Sequence, residues 1–146
     1  MFVRDIMSTE VYTLREDEVL LDATLLLARG SFRHIPILSG QRLVGIVTER
    51  DVEHYKPSIL SGIPAEEYNR LMKTTPLSKI MSRNPTTIGP GKTVYEAAQI
   101  LFEQRIGCLP VVEDGKLKGI ITRSDMLSLL LKLLQERGLA AWGPAT

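Results

Sequence analysis

Leu43-Val44-Gly45-Ile46-Val47-Thr48-Glu49-Arg50-Asp51 returns 74 residues later as Leu117-Lys118-Gly119-Ile120-Ile121-Thr122-Arg123-Ser124-Asp125. Each stretch is an apolar, largely β-branched run closing on Thr-x-x-Asp, the pattern of a strand handing over to a helix. The same offset extends outward. Asp5-Ile6-Met7-Ser8 faces Lys79-Ile80-Met81-Ser82, Thr13 faces Thr87, Ala23 faces Ala97, Leu27 faces Leu101 and Pro36 faces Pro110. No gap is needed between Ile6 and Asp51, so the chain is one β/α unit used twice.

Each copy has the same local reading. A short extended segment is expected around Val11-Thr13 and Thr86-Ile88. A one-sided helix follows, with its stripe at Leu20, Ala23, Thr24 and Leu27 or Val94, Ala97, Ala98 and Leu101. Thr93 and Glu96 form a capping pair for the second of these helices. Two β-rich runs come next, 35–38 then 43–48 and 109–112 then 117–122, joined by short Gly-containing turns as hairpins. Pro36 and Pro110 lack an N–H and belong at strand starts or edges. A copy of about 50 residues makes a marginal core, so the two are expected to pack on each other with approximate twofold symmetry. The division by sequence is 1–56, a 57–76 linker with a short helix at 65–72, 77–137, and a 138–146 tail.

Bulk composition narrows the function. With 44% hydrophobic and 24% charged residues the chain reads as an ordinary folded domain. A net charge of +1 and 5% aromatic residues argue against a broad nucleic-acid or anionic-membrane surface. The apolar stretch from Met126 to Leu134 is too short to span a bilayer. Residues 1–5 run straight into patterned sequence without an export core, and the lone Cys108 cannot form an internal disulfide. Both features point to a cytoplasmic location. His34, His54 and Cys108 make no metal spacing, so no metal site is expected. Neither a phosphate-binding nor a dinucleotide-binding glycine loop occurs.

Thr48-x-x-Asp51 and Thr122-x-x-Asp125 carry two compatible readings. In the plainer one, threonine caps the first free amides and the acid sits three residues on, favoured by the helix dipole. In the functional one, a strand end leading into a helix start offers N–H groups and a hydroxyl to phosphate, while the aspartate accepts from a vicinal diol such as ribose. Gly45 and Gly119 sit inside strand patterns, which points to close approach by backbone, by ligand or across a sheet pair. Cys108 reads as a buried, inert thiol.

The ordered sets Asp5-Ile-Met7 with Lys79-Ile-Met81, His34-Ile-Pro-Ile37 with Cys108-Leu-Pro-Val111, and the two closing Gly-to-Asp stretches carry a resemblance from Val3 to about Leu134. The chain resembles the tandem cystathionine-β-synthase (CBS) domain pair, often called a Bateman module. The resemblance implies a mixed α/β (α+β) fold of two pseudo-twofold-related units, each a small sheet packed against helices. It also implies a regulatory ligand, AMP, ADP, ATP or S-adenosyl methionine, in clefts between the units, with no cofactor. Asp51 and Asp125 would hold ribose hydroxyls. Thr48 and Thr122 would sit by the phosphate or polar tail, with Arg50, Arg123, Arg33, His34 and Arg105 as further candidates. Val11, Tyr12, Thr13, Pro85, Thr86 and Thr87 would flank the adenine.

The leading expectation is therefore a non-enzymatic sensor of an adenosine-containing small molecule, acting on a regulated protein that the sequence does not name. The alternative is a ligand-free structural or interaction module. A hydrolase or transferase would need a nucleophile–base arrangement that is not visible. Glu49 against Arg123 leads us to expect unequal clefts, with the Thr122/Asp125 site favouring phosphorylated ligands. Apolar residues surround most of the helix expected from Met126 to Leu134, more than one intramolecular face requires. A homodimer burying them is expected.

Overall fold

The computed structural model describes residues 1–30, 32–57 and 62–141, so that 58–61 of the expected linker and 142–146 of the expected tail lie outside the described residues. In chain order the elements are α1 (Val3–Ile6), β1 (Leu14–Arg15), α2 (Leu20–Arg29), β2 (His34–Ser39), β3 (Arg42–Thr48), α3 (Glu49–Tyr55), α4 (Ala65–Thr74), α5 (Leu77–Ile80), β4 (Ser82–Arg83), α6 (Val94–Gln104), β5 (Cys108–Glu113), β6 (Lys116–Thr122) and α7 (Arg123–Glu136). Two compact units result. The first comprises 10–86 and 113–117, the second 1–9, 87–112 and 118–146.

In the first unit β2 and β3 form the expected antiparallel hairpin, from the His34↔Thr48 pair to Ser39↔Arg42. Strand β1 adds parallel to β2, and β4 adds antiparallel to β3 through Gly45↔Arg83 and Ile46↔Ser82. Pro36 needs no partner for a missing N–H on the β1 side, because pairing there begins at Ile37. Leu20, Ala23, Ile35, Ile37, Val47, Leu77 and Ile80 form the buried core, with Phe32 and Tyr68 packed against it. The apolar stripe read in α2 thus faces inward through Leu20 and Ala23, whereas Leu25 is exposed.

The second unit repeats this plan. Strands β5 and β6 are neighbours, Ile88 bridges Val111 in parallel, and Ser8 bridges Ile120 antiparallel. Its core is Val3, Ile88, Ala97, Leu101, Leu109, Val111 and Ile121. Thr93 caps α6 as expected, accepting from the Glu96 amide at 3.1 Å. Helix α7 stops at Glu136, and Gly138 follows with φ +70°. The early extended segments differ from expectation. The first strand is Leu14–Arg15, just after Val11-Thr13, and around 86–88 only Ile88 makes a ladder contact.

The opening segments reveal what the repeat alone conceals. Leu77 and Ser78 donate their amides to Glu18 and Glu16 carbonyls at 2.8 and 3.0 Å, and Leu20 donates to Thr75 at 2.9 Å. Shifted by 74 residues, the same three bonds recur as Val3 to Lys92, Arg4 to Pro90 and Val94 to Met1, at 2.8, 3.0 and 3.1 Å. Each unit therefore combines the opening segment of one copy with the body of the other. The compact units do not follow the copy boundaries.

This exchange explains the strand glycines. A Cβ on Gly119 would lie 2.7 Å from the Ser8 carbonyl oxygen and 2.9 Å from Met7 Sδ. On Gly45 it would lie 2.9 Å from the Ser82 oxygen and 2.5 Å from Met81 Sδ. The close approach comes from backbone and methionine of the exchanged segment, which is the approach by backbone among the alternatives the sequence left open.

Candidate functional site

The Thr-x-x-Asp elements lie where strand becomes helix, and both form full capping boxes. Thr48 N donates to Asp51 Oδ2 at 2.8 Å, and Asp51 N donates to Thr48 Oγ1 at 3.1 Å. In the second unit the matching bonds are 2.7 Å from Thr122 N to Asp125 Oδ2 and 3.3 Å from Asp125 N to Thr122 Oγ1. All four side chains are half-buried. The plainer reading of the motif thus holds in both units. It does not exhaust the chemistry, because a carboxylate has two oxygens and about four lone-pair positions.

Around Thr48 the first unit gathers several of the candidate residues. His34 pairs with Thr48 across the hairpin. Glu49 N donates to the Arg33 carbonyl at 3.1 Å, and the Arg33 guanidinium lies 3.7 Å from the Glu49 carboxylate. Both side chains are largely exposed, so this ion pair adds little stability but offsets the charge of Arg33 locally. Arg50 is exposed on the first turn of α3. Tyr12 stacks on Phe32 with ring centroids 5.1 Å apart and planes 15° from parallel, while Val11 and Thr13 beside it are half-buried. Phe32 is not among the residues singled out from the sequence, whereas Glu49 enters there as the acid beside the first cap. An aromatic residue two positions before the hairpin was the available signal for the former.

In the second unit the equivalent backbone bond runs from Arg123 N to the Gly107 carbonyl at 3.1 Å. Arg123 Nε also donates to the Ile106 carbonyl at 3.0 Å, which holds the guanidinium beside the β5 entry. Arg105 closes α6 in the left-handed region at φ +55°. Glu49 and Arg123 occupy equivalent positions, so the surroundings of the two caps differ in charge. Thr87 belongs to the second unit, whereas Pro85 and Thr86 belong to the first. The structure therefore brings Thr122, Asp125, Arg123 and Arg105 onto neighbouring segments without drawing the whole of 85–87 into the same unit.

Cys108 opens β5 in the slot of His34. It is buried, and burial pushes its thiol up to about 12, which leaves almost no thiolate at neutral pH. Among the described residues, no group of three His, Cys, Asp or Glu side chains is placed to hold a metal ion. Also among these residues, no helix is long and apolar enough to cross a membrane.

Comparison with known proteins gives this geometry a setting. The CBS domain family matches at residues 3–57 and again at 77–132. A CBS domain-containing protein of Dictyostelium discoideum is 34% identical over 139 residues, 92% of this chain and 94% of that protein. Several other curated relatives are longer, and the chain spans between 15% and 45% of them, so activities elsewhere in those proteins lie outside the match. The CBS domain pair of protein MJ0100, solved with 5′-methylthioadenosine and S-adenosyl-L-methionine, superposes with a TM-score of 0.73 at 27% identity, covering 91% of this chain and 98% of that one. CBSX2 in complex with AMP superposes with a TM-score of 0.74 at 25% identity, covering 90% and 97%. Two family matches on one mixed α/β chain, each ending in the same capped strand–helix junction, have one meaning: this chain belongs to the CBS domain family, as a tandem CBS domain pair.

Proposed function

We propose that the protein is a non-enzymatic regulatory sensor that binds an adenosine-containing small molecule at its Thr-x-x-Asp elements and passes the bound state to a protein partner in the cytoplasm. The observation carrying this reading is the twice-repeated Thr–Asp box at a strand–helix junction, in a chain whose structural relatives were solved with AMP, methylthioadenosine and S-adenosyl methionine. Asp51 and Asp125 would accept from the ribose diol. Thr48, Thr122, Arg33, His34, Arg50, Arg105 and Arg123 would face the phosphate or polar tail, and residues 11–13 and 85–87 would flank the base. The ion pair on Arg33 and the fixed guanidinium of Arg123 favour the second element for a phosphorylated ligand.

Thermal melts test the reading. A ligand that binds only the folded chain stabilises it by about 2.7 kcal/mol at a hundred times its Kd, roughly 5–10 °C here. Millimolar AMP, ADP, ATP or S-adenosyl methionine should raise the melting temperature, and GMP should not. No response to any of the four would return the motifs to helix capping alone, the reading of a ligand-free structural module. Asp51→Asn and Asp125→Asn are the appropriate variants, since asparagine keeps one oxygen for the cap while removing the charge that attracts the diol. Asp125→Asn should cost more AMP affinity than Asp51→Asn, and the reverse order would overturn the ranking.

Self-association is part of the same proposal. None of the residues of α7 is buried, and Leu127, Leu130, Leu131 and Leu133 are exposed. An apolar face of this kind is covered in a soluble protein by a second surface, here a second copy. Sedimentation should show a dimer at micromolar concentration, shifted toward monomer by Leu130→Glu. A monomeric unmodified protein would overturn it.

A further inference from the structure

We propose that Met7 is an oxidation site, whose thioether hydrogen peroxide converts to the sulfoxide. The change frees the opening segment from β6 in the second unit, while the equivalent Met81 in the first unit is shielded. The two thioethers occupy equivalent places, each against a strand glycine. A Cβ on Gly119 would lie 2.9 Å from Met7 Sδ and 3.1 Å from its Cγ, and one on Gly45 would lie 2.5 and 2.8 Å from the same atoms of Met81. Their access to solvent differs. Met81 is 7% exposed and belongs to the core of the first unit, whereas Met7 is half-buried and only flanks the core of the second. Both stand in matching triplets, Asp5-Ile6-Met7 and Lys79-Ile80-Met81, that the ligand chemistry above does not use.

The step needs no other protein group. A lone pair on Met7 Sδ attacks one oxygen of the peroxide as the O–O bond breaks and the S–O bond forms. The departing hydroxide takes the proton of the transferred oxygen and leaves as water, so sulfur loses two electrons and the peroxide gains them. The product is polar, and its oxygen only accepts hydrogen bonds. The two bridge amides beside Gly119 are already engaged, Ser8 N with the Ile120 carbonyl and Ile120 N with the Ser8 carbonyl, both at 3.0 Å. The sulfoxide oxygen therefore gains a partner either by breaking that bridge or by turning out to water. Either way the sulfur leaves the glycine it covers. The disturbance reaches the end of β6 within two residues, because Ile120 is followed by the fully buried Ile121 and by Thr122, whose amide donates to Asp125. Peroxide thus loosens the second Thr-x-x-Asp element and spares the first, with or without a bound nucleotide.

The test treats the full chain with hydrogen peroxide, follows each methionine by peptide mass spectrometry and reads amide exchange alongside. Met7 should gain one oxygen roughly tenfold faster than Met81 or than Met72, which is 4% exposed, with the 61% exposed Met1 as the accessible reference. In the oxidised protein the Ser8 and Ile120 amides should exchange about 5- to 100-fold faster, the change expected when a polar group is forced against a packed strand. Strands β2 and β3 should keep their protection. Methionine sulfoxide reductases should return the exchange rates to their starting values. Met7→Leu, apolar and without sulfur, should hold its protection in peroxide. Met7→Gln, which carries an acceptor oxygen at similar reach, should lose it without peroxide. Met126→Leu removes the other half-buried thioether of the second unit and should respond to peroxide as the unmodified protein does. Oxidation of Met7 no faster than that of Met81 would overturn the proposal, as would unchanged exchange at Ser8 and Ile120 once Met7 is oxidised. So would an undiminished response to peroxide in Met7→Leu.

Discussion

Leu77→Ala is expected to cost about 2–5 kcal/mol of folding stability, a large share of the roughly 5–15 kcal/mol a domain possesses. Leu77 is 0% exposed and packs with Leu20, Ile35 and Val47, so truncation leaves a cavity among residues already held by a sheet and two helices. The location of the damage is as informative as its size. Leu77 opens the second copy in sequence, yet it lies in the core of the first unit and is tied to Glu18 by a 2.8 Å backbone bond. Hydrogen exchange on the variant should therefore show loss of protection concentrated in β2 and β3, with β5 less affected. Val3→Ala should show the opposite, loosening β5 and β6 although Val3 opens the first copy. Chemical denaturation giving less than about 1 kcal/mol, or protection lost first in β5, would refute the exchanged packing.

Gly119→Ala is expected to destabilise by roughly 3 kcal/mol, the upper part of the overpacking range. The sign carries the argument. At a position with space and an ordinary backbone, glycine to alanine stabilises by about 0.4–1 kcal/mol, because the unfolded chain loses freedom. Here the new methyl would meet the Ser8 carbonyl oxygen at 2.7 Å and Met7 Sδ at 2.9 Å. The thioether can turn aside, but the carbonyl belongs to the Ser8–Ile120 bridge, whose two bonds are both 3.0 Å. Making room means breaking that bridge or bending β6 just before the Thr122 cap. Gly89→Ala is the control. Nothing lies within 4 Å of its Cβ position and its φ is outside the left-handed region, so it should be neutral or slightly stabilising. A neutral Gly119→Ala in a melt or denaturant titration would mean that the opening segment does not sit on β6.

Much of this chain could be read without its fold. Helix α2 follows from Leu20 and Ala23, the hairpins from β-branched runs flanking Gly40 and Gly115, and the caps from Thr48, Thr93 and Thr122 with an acid three residues on. All these signals are local, set by side-chain period, turn chemistry and a hydrogen bond reaching three residues. The candidate aspartates and threonines were legible for the same reason. Their capping geometry and their candidacy for ligand arise from one short motif.

Tertiary structure decided which core each opening segment joins, because Val3-Arg4-Asp5-Ile6 and Leu77-Ser78-Lys79-Ile80 are equivalent patterns. Each presents an apolar residue at the same places, so local chemistry lets either fit either body. Only long-range packing, with Leu77 against Leu20 and Val3 against Leu109 and Ile121, selects the exchanged arrangement. The strand glycines follow from that choice, since the segment they accommodate is distant in sequence. The Tyr12–Phe32 stack and the Arg33–Glu49 pair belong to the same class. They join residues 20 and 16 positions apart across a helix and a hairpin. No periodic pattern in one strand or helix encodes a contact of that kind; it exists only once the sheet has brought its ends together.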